Sequence, residues 1–332
     1  MWKISPSIRD DMTEKFPLIA LLYKEMNNPV RQHWVPQFYL RYFAIPETQD
    51  RKYPQVWIFS KDEGDGEPQL TSIRKICASS NLYSPFNDDG DRDYGMEKRL
   101  GNLEHLLAQI WPALASDFVD FESDETVKKG VALFLATMHL RNPSSKKKGE
   151  YIHKQIVEWH NQLPKDQEGR PEIDAIEING EVHEVDNSDW FKYKNWEKND
   201  HHNFFTDSIK KQTIYLAEIL LQKRWSVIVS ESPVFITSDN PLSMHHSTKE
   251  IFGFGTQGTV INFPLSPTRL LVLDDMHNEP AGQYYPLMES NIGSINLLTW
   301  RGCNKFMVSH RDTYEILSEI VSWADEYEKN NV

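Results

Sequence analysis

Apolar and polar positions change rhythm several times along this chain, and each change predicts an element. Residues 1–30 read as an appended segment, weakly amphipathic through Phe16, Ile19, Leu22, Tyr23 and Met26 and closed by Asn27-Asn28-Pro29. Val56-Trp57-Ile58-Phe59, within Gln55 to Ser60, reads as a strand followed by a polar turn from Lys61 to Gly66, and a second short strand around Ile76 is expected to pair with it. From about Tyr94 the period becomes helical: Leu100, Leu103, Leu107, Ile110 and Leu114 form one stripe, which Pro112 is expected to kink or end. A second helix runs from a Ser123 or Asp124 cap through Val127, Val131, Phe134, Leu135 and Met138 to a stop at Asn142-Pro143, and a third covers Ser145 to Gln162. Residues 164–200 are polar and rich in turn formers, the pattern of a surface insertion.

After a helix over Phe204 to Lys223 the pattern turns β-like, with strands at Trp225–Val229, Val234–Thr237, Val260–Phe263 and Leu270–Leu273. A helix over Leu287 to Leu298, a strand Lys305–Ser309 and a helix from Asp312 follow. Strands toward both ends with helices between predict one α+β domain over 31–330, whose mixed or antiparallel sheet joins N- and C-terminal strands around a central helical region.

Composition narrows the class. The chain of 332 residues is 39% hydrophobic and 12% aromatic, enough for a sizeable core. No run approaches the roughly twenty apolar residues of a membrane helix, and Met1-Trp2-Lys3-Ile4-Ser5-Pro6 lacks a signal-peptide pattern. A cytoplasmic protein without membrane contact is expected. Cys77 and Cys303 give neither a disulfide framework nor a thiolate metal site. A net charge of −13 opposes wholesale adsorption to nucleic acid. Lys146-Lys147-Lys148, after Arg141, is the one dense basic cluster and reads as a solvated loop or helix start rather than a phosphate contact.

Two segments mix polar groups into strongly apolar surroundings. In His33-Trp34-Val35-Pro36-Gln37-Phe38-Tyr39-Leu40-Arg41-Tyr42-Phe43, the side chains of His33, Tyr39 and Arg41 are expected to be partly desolvated and in need of partners. In Phe235-Ile236-Thr237-Ser238-Asp239-Asn240-Pro241, Asp239 and Asn240 stand where a strand enters a turn, which suits either a presented catalytic pair or an Asx-turn before proline. Glu97 and Glu104, seven residues apart on the flank of a helical stripe, suit solvated boundary positions, a metal site or an acid–base pair. Extrapolating the Val127 to Met138 stripe places Arg141 close to the buried side of its helix end, where it either caps the helix or holds an anion. Gly253-Phe254-Gly255-Thr256-Gln257-Gly258 matches a dinucleotide fingerprint as a string, but β-type sequence follows it, so it reads as a glycine-rich loop. His201-His202 and His245-His246 read as loop histidines without a third ligand.

Together, His33-x-Val35-Pro36-x-Phe38-Tyr39-Leu40-Arg41-x-Phe43, Asn81-Leu82-Tyr83, the helix of Glu97 and Glu104, Met138-His139-Leu140-Arg141, Phe235 to Pro241 and Phe263-Pro264-Leu265-Ser266-Pro267 resemble, in order, the bacterial family catalogued as domain of unknown function 4238. The resemblance spans about Arg31 to His310, and this chain has His139 where members typically carry Gln. It implies a shared fold without a settled activity, with defence against phage suspected for some members. The polar residues matching the family pattern are His33, Tyr39, Arg41, Glu97, Glu104, Arg141, Asp239 and Asn240.

The leading expectation is a hydrolase acting on a phosphate-containing substrate, nucleic acid or nucleotide. Arg41 and Arg141 would hold phosphate, His33, Tyr39, Asp239 and Asn240 complete the catalytic set, and Glu97, Glu104 and Asp239 surround a divalent Mg or Mn ion. The alternative is a sensor or interaction protein in which the same groups form a structural network, with the segment 1–30 offering a docking arm for a protein partner. In either case His33, Arg41, Glu97 or Glu104, Arg141 and Asp239 are expected to converge, with Arg141 in salt-bridge reach of an acidic member.

Overall fold

In the computed structural model, which describes residues 28–61, 66–178 and 181–331, the His33 motif is a short strand, β1 (Arg31–His33), entering a single helical turn, α1 (Gln37–Leu40). The amphipathic stretch read around Phe16 to Met26 lies outside the described residues. Next come β2 (Gln55–Ser60), β3 (Gln69–Ser72) and β4 (Ala78–Ser80). The partner of β2 is β3, not a strand around Ile76. Ile76 is buried in the bend before β4, and an apolar residue buried by tertiary packing looks like a strand residue when only hydrophobicity is read. β4 pairs instead with β1, placing His33 opposite Ala78.

The central helices follow the stripes. α2 (Gly95–Ser116) runs straight through Pro112. That proline is exposed, as is Ala108 one turn earlier, so the carbonyl left without a helical partner faces water. α3 (Glu125–Leu140) starts at Asp124, whose carboxylate accepts from the Val127 N–H at 3.0 Å. Every residue from Gly130 to Met138 is buried, as expected of a helix packed on all sides. α4 (Pro143–Gln162) begins after Asn142, whose side-chain oxygen caps the Ser144 N–H, with Pro143 at the first position.

Residues 164–200 hold a two-stranded hairpin, β5 (Ala175–Ile178) with β6 (Glu181–Glu184), and a short helix, α5 (Trp190–Lys194). α6 (Lys198–Gln222) starts earlier than its apolar stripe suggested, so His201 and His202 are helical rather than in a loop. Reciprocal caps between Glu197 and Asp200 explain the early start. The C-terminal third contains β7 (Arg224–Val229), β8 (Thr237–Ser238), β9 (Ser243–His245), β10 (Val260–Ser266), β11 (Arg269–Asp274), β12 (Gln283–Pro286), α7 (Ile292–Gly302), β13 (Phe306–Ser309) and α8 (Thr313–Asn331).

The chain is α+β, with two principal sheets where one was expected. An antiparallel sheet ordered β3-β2-β13-β8 joins N- and C-terminal strands. A five-stranded sheet ordered β12-β7-β11-β10-β9 is built within residues 224–286, with β12 parallel to β7. Strands separated by short turns pair locally, which seals this second sheet within its own stretch of chain. α3 packs between α6 and an aromatic cluster in which Trp111 meets Phe134 at 5.0 Å and Tyr39 at 5.6 Å. One continuous core runs from Val35 to Val308. No helix among the described residues is long and apolar enough to cross a membrane.

Candidate functional site

Arg141 follows the last residue of α3, where the apolar stripe turns it inward, and its side chain is only 1% exposed. Its guanidinium donates to Glu104 Oε1 at 2.6 Å, to the Trp34 carbonyl at 2.8 Å and to Met138 Sδ at 3.4 Å. The salt-bridge partner expected for Arg141 is therefore Glu104 on α2. The Tyr83 hydroxyl, fully buried, donates to the Arg141 carbonyl at 2.9 Å and satisfies the helix end. Burial pushes the Tyr83 hydroxyl well above its usual pKa.

Glu97 lies two turns before Glu104 on the same helix face and has no salt bridge among the described residues. Burial and the neighbouring Glu104 charge push its carboxyl up to about 7, against the attraction of Arg141. His33 completes the group. Burial lowers its imidazole to about 4, a hydrogen bond with the Arg74 backbone works the other way, and Arg31, Arg141 and Arg74 lower it further. Its Nε2 is buried without a hydrogen-bond partner. A neutral imidazole, a carboxyl that titrates near neutrality and a carboxylate fixed on arginine thus share one region, which suits proton transfer.

The other expected members are bonded to neighbouring parts of the chain. Asp239 is 2% exposed, and its two oxygens accept from the backbone N–H groups of Asn304 at 2.8 Å and Lys305 at 3.0 Å. Burial raises its pKa, and those backbone bonds oppose the rise. Asn240 donates to the Gly302 carbonyl at 2.9 Å. Tyr39 is fully buried, its hydroxyl 2.7 Å from Thr237 Oγ1 and donating to the Pro264 carbonyl at 2.8 Å. Arg41 turns away from the cluster and donates to the carbonyls of Gln49 at 2.5 Å and Arg51 at 3.0 Å, pinning the loop before β2. Arg41 is thus a correction to the expected phosphate pair. The carboxylates assigned to a divalent cation are not assembled either: Glu104 is spent on Arg141, Asp239 on two backbone amides, and no three His, Cys, Asp or Glu groups among the described residues could hold a metal ion.

Sequence reasoning missed the residues that tie Asp239 to the arginine. The Trp34 indole donates to the Asp239 carbonyl at 3.0 Å while its own carbonyl receives Arg141. The Asn142 amide donates to the same Asp239 carbonyl at 2.9 Å and accepts from Asn304 Nδ2 at 3.0 Å. Asn142 had a signal, since Asn before Pro marks a cap as well as a stop. Trp34 had none beyond its place beside His33. Because Asp239 satisfies two backbone donors, Asp239→Ala is expected to cost about 3 kcal/mol of stability, and Asp239→Asn, which keeps one acceptor, about half that. Denaturant unfolding measures both; an alanine variant within about 1 kcal/mol of wild type would contradict the assignment.

A family model described as a protein of unknown function, DUF4238, matches residues 31–313. No curated protein and no solved structure matches the chain.

Proposed function

The chain belongs to the DUF4238 family, whose function is unknown, and we propose from its residues that it is a hydrolase acting on a phosphate-containing substrate of the nucleotide or nucleic-acid class. The carrying observation is the constellation itself: Glu97 and Glu104 on one helix face, Glu104 bound to a fully buried arginine, and an unpartnered His33 Nε2 close enough to feel that arginine's charge. In this reading Glu97 takes a proton from water as the water attacks phosphorus, then returns it to the leaving oxygen, a role suited to a carboxyl poised near neutral pH. Arg141 positions Glu104 and is not free to hold phosphate. The exposed Arg74, which acts on His33, takes that part instead, while Arg31 is held by the carbonyls of Arg74 at 3.1 Å and Lys75 at 2.7 Å. The resemblance adds to this reading an effector role against phage, suspected for some members of the family.

The test is hydrolysis of nucleotides, RNA and DNA by purified protein, with and without Mg²⁺ or Mn²⁺. Glu97→Gln is expected to lower kcat by about 10²–10⁴-fold, the usual contribution of a general acid–base group. Wild-type turnover that Glu97→Gln and His33→Ala leave unchanged would sink the reading. A second reading, a sensor or interaction protein, is favoured by Asp239, Asn240, Tyr39 and Arg41, whose polar atoms bond the chain itself. It gains if no substrate in the panel is turned over by a folded wild type.

A further inference from the structure

On the other side of α3's end, α4 and α6 enclose a groove of about 380 Å³, within the size range of small-molecule sites. Its floor is Leu140, Phe205 and Ile209, which also pack with Tyr83, Met96 and Leu100, so one layer of side chains separates it from the Glu97 region. Its chemistry is different from that region's. Lys146 and Lys148, from the basic cluster read above as a solvated loop or helix start rather than a phosphate contact, line it, and neither ammonium has a salt bridge or hydrogen bond among the described residues. Lys146 is only partly exposed, and burial lowers its pKa; Lys198 adds to the lowering and Glu150 opposes it. A bound anion would relieve that cost. Glu150 lines the groove as well, so its lysines outnumber its carboxylates by one, a local excess of positive charge in a chain of net charge −13.

The same groove is lined by a cluster of aromatic rings in mutual contact. Trp196 is stacked on His153 at 5.1 Å with an interplanar angle of 10°, and meets Tyr193 at 4.7 Å and Phe204 at 5.3 Å. His153 is held in turn by a 2.7 Å hydrogen bond between its Nε2 and the Tyr193 carbonyl. Phe204 lines the groove and is still 47% exposed, a large apolar ring on a helix that has ample core to bury it in. Rings held rigid next to unpaired ammonium groups fit a ligand that carries both a flat ring and a phosphate.

We propose that this groove binds a nucleoside mono- or diphosphate, with Lys146 and Lys148 on the phosphate and Phe204 and Trp196 against the base. The site stands apart from the catalytic reading. Calorimetric titration of the full chain with ADP, GDP, inorganic pyrophosphate and adenosine tests it, using wild type, the double variant Lys146→Ala/Lys148→Ala, Phe204→Ala, Phe204→Leu and, as a control outside the groove, Lys147→Ala. A nucleotide is expected to bind with a Kd below about 1 mM, weakened about tenfold or more by the double lysine change, which corresponds to about 1.4 kcal/mol. Phe204→Ala should weaken the nucleotide and leave pyrophosphate as it was, Phe204→Leu should do so if the alanine variant does not fold, and Lys147→Ala should change nothing. Absence of nucleotide binding at about 10 mM, or affinity indifferent to the lysine pair, would overturn the proposal. A single-stranded oligonucleotide binding about a hundredfold more tightly than either nucleotide would overturn it too, because the groove would then serve a strand.

Discussion

Arg141→Ala is expected to lower the free energy of unfolding by about 3 kcal/mol, the lower end of the range for breaking a buried ion pair. The guanidinium is almost wholly removed from water and joins α2 through Glu104, the segment after β1 through the Trp34 carbonyl, and its own helix through Met138. Removing it strands a carboxylate and a carbonyl and leaves a void where a long side chain was packed. The lower end applies because the Glu104 side chain remains 27% exposed and can recover some water. Pairing the change with Glu104→Gln should return part of the loss, since the second substitution removes the stranded charge. Denaturant unfolding of the four proteins in that cycle is the measurement; a single-variant loss under about 1 kcal/mol would show that the pair does not hold these elements together.

Glu97→Gln is expected to stabilise the protein above neutral pH by about 1–3 kcal/mol while it lowers the proposed activity by about 10²–10⁴-fold. The folded carboxyl keeps its proton up to about 7, whereas the ordinary value is 4.5. Between those values the folded chain binds more protons than the unfolded one, so stability from this group is fully present below about pH 4.5 and is lost as pH rises through 7. Glutamine is neutral throughout and carries no such loss. The lower part of the range allows for the partial exposure of the side chain, which lets water screen the cost. Unfolding measured at several pH values from 4.5 to 8 should therefore show wild type and variant diverging as pH rises. Parallel curves would mean that Glu97 titrates normally, and with that the acid–base role would lose its support.

Under the proposed mechanism, activity and stability oppose each other at this residue. A carboxyl beside another carboxylate and away from water costs folding free energy, and this is tolerated at functional sites because the resulting pKa serves chemistry. Arg141 and Asp239 carry the reverse signature: their polar atoms are matched, and the fold depends on them. Two residue types that look equally functional in a motif are thus separated by how completely their atoms are bonded.

By itself, the sequence determined the elements and their class. Periods of two and of three to four residues are local properties, so β2, β7, β11 and the stripes of α2, α3 and α6 stand close to where their apolar positions put them. The inward turn of Arg141 was readable from the stripe of α3, and Glu97 and Glu104 were readable as neighbours from their spacing. Only the tertiary structure decided what those groups meet. Arg41 and Arg141 have the same charge and similarly apolar neighbours in sequence, yet one pins a nearby loop and the other crosses to a helix 37 residues away. Asp239 finds its donors 65 and 66 residues further on, and Lys146 and Lys148 acquire an aromatic wall from elements that begin at residue 190 or later. Hydrogen-bond partners, desolvation and cavities are properties of segments brought together, and no local pattern encodes which segments those will be.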